Sequence, residues 1–129
     1  MSKVPDGLLY SREHEWVEAI SETRVRVGIS DFAQQQLGDL VFVELPAVGS
    51  QVKMDESLGT VESVKAVSDI FSPVSGTVAE INGNLENDPE TINADPYGEG
   101  WLLVIELRNP AELSELLSAE QYTEFVSEE

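Results

Sequence analysis

The sequence predicts a mainly β fold, a β-sandwich or flattened barrel with a few short helices. Three observations lead there. Seven short strand-like runs, separated by Gly, Pro, Asn and Asp, are spread over residues 14–107. Helical patterns are short and confined mainly to 30–38 and the tail beyond 109. A length of 129 residues favours one domain. A chain of that size buries roughly two-thirds of its unfolded surface, enough for a core without staples.

Taken in order, "HEWVEAI" (14–20) is a strand bounded by polar residues. "RVRVGI" (24–29) alternates, so Val25, Val27 and Ile29 share one face. "SDFAQQQLG" (30–38) is a short helix, with Ser30 or Asp31 as N-cap and Gly38 as its stop. "LVFVEL" (40–45) is an almost wholly apolar strand ending at Pro46. "SLGTVES" (57–63) and "AVSDIF" (66–71) flank Lys65, and together they predict a hairpin over about 57–71 with the lysine at its tip. "GTVAEI" (76–81) and "WLLVIEL" (101–107) complete the strands. Between them, Asp88 and Pro89 open a single helical turn.

The tail, about 110–126, is helical. Asn109 caps, Pro110 enters the first turn, and Glu112 follows three residues after the cap. Ser118 and Gln121 form a second capping box, which divides the tail into two short helices. "PAVGSQV" (46–52) and "PVSGTV" (73–78) echo one another; two common turns explain the echo more simply than a pseudo-twofold.

Acids number 25 against 7 bases, a formal charge of −18. That field repels nucleic acid and anionic membranes and attracts basic patches on partner proteins. Cysteine is absent, which excludes disulfides, thiolate metal sites and a cysteine nucleophile. The opening residues have neither the apolar run of a signal peptide nor the arginine content of a transit peptide. No stretch approaches the ~20 apolar residues of a membrane helix. The expectation is a cytoplasmic, monomeric protein without a membrane partner.

Conventional catalysis is poorly supported. His14 is the sole histidine, no G-x-S-x-G elbow, GxGxxG or Walker A loop is present, and no metal site is expected. Attention therefore falls on Lys65, one of three lysines with Lys3 and Lys53. Glu62 lies three residues before it and Asp69 four after, and such neighbours favour the charged ammonium. Lys65 is thus ill-suited to Schiff-base catalysis and well suited to be an acceptor, modified by another enzyme with loss of its charge.

"GDLVFVELPAVGSQV", "LGTVESVKAVSDIFSPVSGTVAEIN", "HEWV" at 14–17, "VGIS" at 27–30, "INADPYGEGWL" at 92–102 and "ELSELLSAEQY" carry a family resemblance across nearly the full chain. Its most specific part is E-S-V-K-A-x-S-D followed by P-V-S-G. The sequence closely resembles the H protein of the glycine cleavage system. The resemblance implies one lipoyl-carrier domain over 1–129, a barrel-sandwich of the lipoyl- and biotinyl-domain kind. It implies lipoic acid in amide linkage on Lys65. It also implies a carrier that is not itself an enzyme. An aminomethyl group would pass from a pyridoxal-phosphate glycine decarboxylase (P protein) to a tetrahydrofolate-dependent aminomethyltransferase (T protein). A dihydrolipoyl dehydrogenase (L protein) would reoxidise the dithiol, and a lipoate ligase or a lipoyl/octanoyl transferase would install the group.

In the family a surface cleft shelters the loaded arm. The resemblance carries the carboxylates that would hold its cationic amine onto Glu15 and Asp69, with His14 beside them. Glu13, also assigned to the arm cleft, stands where the family places a small hydroxyl residue; its extra carboxylate either tightens the grip or points outward. Glu62 is a candidate for ligase recognition. A biotin carrier is disfavoured because Val64 and Ala66, not methionines, flank the lysine. The alternative within the family is a lipoate relay or a regulatory H-like protein.

Overall fold

A computed structural model describes residues 3–127. Among the described residues, nine strands form two antiparallel sheets. The larger has the order β1 (Leu9–Tyr10), β2 (Glu15–Ala19), β3 (Arg24–Ile29), β9 (Leu103–Leu107), β8 (Gly76–Ile81), β5 (Gln51–Val52). The smaller has the order β4 (Leu40–Glu44), β6 (Ser57–Ser63), β7 (Val67–Phe71). The sheets do not close into a barrel; a flattened sandwich describes them.

Alternation sets what each strand buries. Val25, Val27 and Ile29 point one way on β3, as the sequence predicts, and all are buried. They join Val43, Val61, Ile70, Val78, Leu103 and Ile105 in the main core. Removing such side chains from water is the main favourable term in folding. A second cluster gathers Tyr10, Trp16, Leu117 and Tyr122. Trp16 opposes Gly28 across β2 and β3. Any Cβ at Gly28 would come within 2.5 Å of the Trp16 ring, so only glycine admits the indole here. The indole N–H donates to the Pro96 carbonyl at 3.0 Å, which satisfies its one polar atom.

Helix α1 (Asp31–Leu37) is capped by Ser30, whose hydroxyl accepts from the Ala33 N–H at 3.1 Å. It ends at Gly38, whose φ of +82° is a conformation side-chain-bearing residues avoid. The turn begun by Asp88 and Pro89 becomes α2 (Thr91–Ala94). The final helix, α3 (Ala119–Ser127), opens on the expected box: Ser118 N–H donates to Gln121 Oε1 at 2.9 Å, and Gln121 N–H donates to Ser118 Oγ at 3.2 Å.

The segment before it differs from expectation. Residues Pro110–Glu115 form a 3-10 helix rather than an α-helix. Asn109 still caps, accepting from the Ala111 N–H at 3.2 Å. Glu112, however, does not reach back to the cap; it accepts from the N–H and hydroxyl of Ser75 at 2.7 and 2.8 Å. That long-range bond pulls the turn onto the sandwich and keeps it tight. A further 3-10 turn, Gly83–Glu86, follows β8. The echoing segments prove to be adjacent, with Gln51 opposite Thr77 and Val52 opposite Gly76.

Candidate functional site

Strands β6 and β7 form a hairpin whose tip is Val64 and Lys65. Ser63 builds the turn. Its N–H donates to the Ala66 carbonyl at 2.7 Å. Its hydroxyl accepts from the Lys65 and Ala66 N–H groups at 3.3 and 3.1 Å and lies 3.2 Å from the Ala66 carbonyl. Neither Val64 nor Lys65 has a positive φ, so the turn needs no glycine. The Val64 N–H donates to the Asp39 carbonyl at 3.1 Å, which fastens the tip beside the end of α1. Lys65 is exposed, and its Cε lies 3.5 Å from where a Cβ on Gly38 would stand.

The lining of a cleft of about 420 Å³ reaches Leu37, the residue before Gly38. Phe32, Ala33, Gln36 and Leu37 of α1 form one wall. Glu13 and His14, from the β1–β2 loop, form the far wall, and Ser68 of β7 completes the rim. The positions 32, 33, 36 and 37 share one side of a helix. Seven residues of helix span about 10 Å, so the wall leads from the Lys65 stem toward Glu13 and His14.

The cleft therefore brings together Glu13 and His14 of the sequence-derived site residues. His14 adopts φ +72° in the loop, and Nδ1 lies 2.8 Å from the Tyr122 hydroxyl. Its ring packs 4.9 Å from Phe32 and 5.8 Å from Phe125, centroid to centroid. Glu15 is not among the residues that line the cleft, and is 2 % exposed. Its Oε1 accepts from the Ser11 hydroxyl at 2.5 Å and its Oε2 from the Phe71 N–H at 3.3 Å. Burial pushes its carboxyl up to about 8, against the lowering effect of those two hydrogen bonds. Asp69 is exposed opposite Thr60, and strand alternation turns it away from the face that carries Ser68. Glu62 is exposed between Phe42 and Val67. Among the described residues, no cluster of three His, Asp or Glu is placed to hold a metal ion.

The family model described as "Glycine cleavage H-protein" matches residues 8–129. The chain belongs to the glycine cleavage H-protein family. The glycine cleavage system H protein of Coprothermobacter proteolyticus is 57% identical over 126 residues, covering 98% of this chain and 99% of that one. That of Symbiobacterium thermophilum is 56% identical, covering 99% of each. The crystal structure of the H protein from Mycobacterium marinum superposes with a TM-score of 0.89 at 43% identity, covering 96% of this chain and 99% of that one.

Within this H-protein fold, the sequence pointed to the lysine but not to its supports. Ser63 carries a local signal, a hydroxyl residue two before the tip, of the type that bonds to nearby backbone. Gly38 was legible only as a helix stop; its contact with Lys65 joins positions far apart in the chain. Phe32 and Gln36 had no signal beyond their place in a short helix.

Proposed function

We propose that Lys65 is the residue through which this H-family protein carries lipoate, as an amide of its Nζ. As a family member the chain is a lipoyl carrier of the glycine cleavage system and not a catalyst. One observation supports the choice of Lys65: its amine is exposed on a hydrogen-bonded two-residue turn whose base is two paired strands. The fit is chemical as well as geometric. A primary amine open to solvent can be acylated, and the cysteine-free chain has no sulfur nucleophile of its own. Bound lipoate supplies the disulfide and dithiol chemistry.

The residues around it orient and shelter. Gly38 leaves room beside the lysine stem. Phe32, Gln36 and Leu37 offer a partly apolar floor along α1. Glu13 supplies a carboxylate for a cationic amine at the far end, beside His14. Glu15 ties Ser11 of the loop to Phe71 of β7, and Asp69 flanks the hairpin on its outer face. The carrier passes an aminomethyl group from a glycine decarboxylase to an aminomethyltransferase, and electrons to a dihydrolipoyl dehydrogenase. The acidic surface suits brief docking with such partners. We place the protein in the cytoplasm as a monomer.

The test is the intact mass of protein made in lipoate-replete cells, followed by peptide mapping. One lipoyl group is expected on the peptide containing Lys65. In Lys65→Arg it is lost while the circular dichroism spectrum is kept. A lipoyl group on Lys3 or Lys53, or none at all, overturns the assignment.

A further inference from the structure

The outer face of the smaller sheet carries apolar side chains that folding leaves uncovered. Among the described residues, six large hydrophobics are exposed: Ile20, Val41, Phe42, Val48, Val64 and Val67. Four of the six, Val41, Phe42, Val64 and Val67, lie on β4 or on the lysine hairpin. Register explains the clustering. Phe42 pairs with Glu62, and Glu62 pairs with Val67, so the three side chains form one row across the outward face. The next row is polar: Glu44 opposite Thr60, and Thr60 opposite Asp69. A bulge between Leu40 and Phe42 brings Val41 out as well, 50% exposed. Exposed apolar side chains, with the Glu62 carboxylate between Phe42 and Val67 and Glu44 and Asp69 in the next row, thus form a strip beside Lys65.

We propose that this strip, with Phe42 as its anchor, is the docking surface for the enzyme that acylates Lys65. The inference rests on the Lys65 assignment above. The enzyme is identified by chemistry and reach. It must bring an activated acyl group to Nζ itself. The amine attacks the carbonyl carbon of an acyl adenylate, AMP departs with the electron pair, and one amine proton goes to solvent. The walls of such an active site necessarily rest on the surface around the turn, where Val64 and Val67 are 71% and 67% exposed. Enzymes that act on the far end of an extended arm have no such need. Glu62 within the strip and Glu44 and Asp69 along its side call for a partner surface that mixes basic groups with apolar seats for Phe42 and Val67. Aromatic side chains are the usual anchors of such contacts.

The experiment uses the unmodified full chain, a purified lipoate–protein ligase, octanoate and ATP, with acylation followed by intact mass. Phe42→Ala and Val67→Ser are expected to lower kcat/KM by at least about tenfold, while thermal melts stay close to the parent. Ile20→Ala and Val48→Ala, exposed but off the strip, are expected to acylate at the parent rate. A second arm uses protein already lipoylated. Its reduction by NADH through dihydrolipoyl dehydrogenase is expected to be unchanged in Phe42→Ala. Parent-like acylation of Phe42→Ala and Val67→Ser overturns the proposal, and so does an equal loss in the dehydrogenase reaction. Failure of the parent chain to be acylated at Lys65 is a different outcome, which overturns the attachment site and the docking strip together.

Discussion

Lys65 Cε lies 3.5 Å from where a Cβ on Gly38 would stand, so the exposed lysine stem runs beside the residue that ends α1. Gly38 has φ +82° and ψ −160°, a region essentially reserved for glycine. Gly38→Ala is expected to lower stability by about 1–3 kcal/mol, read from chemical denaturation. The added methyl meets Lys65 at ordinary contact distance, 3.5 Å, so acylation of the lysine is expected to continue. Loss of acylation without loss of stability would contradict this account of the position.

Glu15 predicts an inverted pH response. Its carboxyl is raised from the usual 4.5 to about 8, chiefly by burial. Between those two values the folded state holds a proton that the unfolded state has released. Stability contributed by this group is therefore full at low pH and falls as pH rises toward about 8. The loss is about 1.4 kcal/mol for each pH unit separating the two titrations. Denaturation at pH 5 and pH 9 is expected to show a larger loss in the parent than in Glu15→Gln, which cannot ionise. Equal losses would mean that Glu15 is ionised in the fold.

Tyr122 joins three elements. Its hydroxyl lies 2.8 Å from His14 Nδ1 and 2.7 Å from Ser30 Oγ, and its ring stacks on Tyr10 with centroids 4.6 Å apart. Tyr122→Phe keeps the stacking and removes both hydrogen bonds. A loss of about 1–2 kcal/mol is expected. The His14 imidazole resonances should shift in the same variant. Unchanged resonances would show that the hydroxyl does not govern the ring.

Ser63→Ala removes the hydroxyl that collects the Lys65 and Ala66 N–H groups. Amide hydrogen exchange at both residues is expected to quicken, with a global loss of about 1 kcal/mol. Protection equal to the parent would show that the backbone pairing of Ser63 with Ala66 closes the turn unaided.

The strands were readable where they were long and alternating. The run at 24–29 matches β3 residue for residue, because its buried valines repeat with period two. β1 and β5 have two residues each, too few to show any period. The tail was read as two short helices, but the first is a 3-10 turn in which Glu112 bonds to Ser75 across the fold, and no local pattern reports such a partner. Lys65 was legible because acidic neighbours and two flanking strand runs surround it. The cleft was not, because it is made by α1, a loop before it and β7, which only the packing of the two sheets brings together. Glu15 was read as a surface or cleft carboxylate, since sequence gives no sign that a glutamate beside Trp16 will be covered.

The tip of the β6–β7 hairpin closes without a left-handed residue. The identities of its two central residues are therefore not dictated by backbone geometry. Val64, 71% exposed, is free to vary without disturbing the turn. If the docking strip proposed above is correct, exchange of that one side chain would alter which modifying enzyme the hairpin suits while the scaffold stays the same.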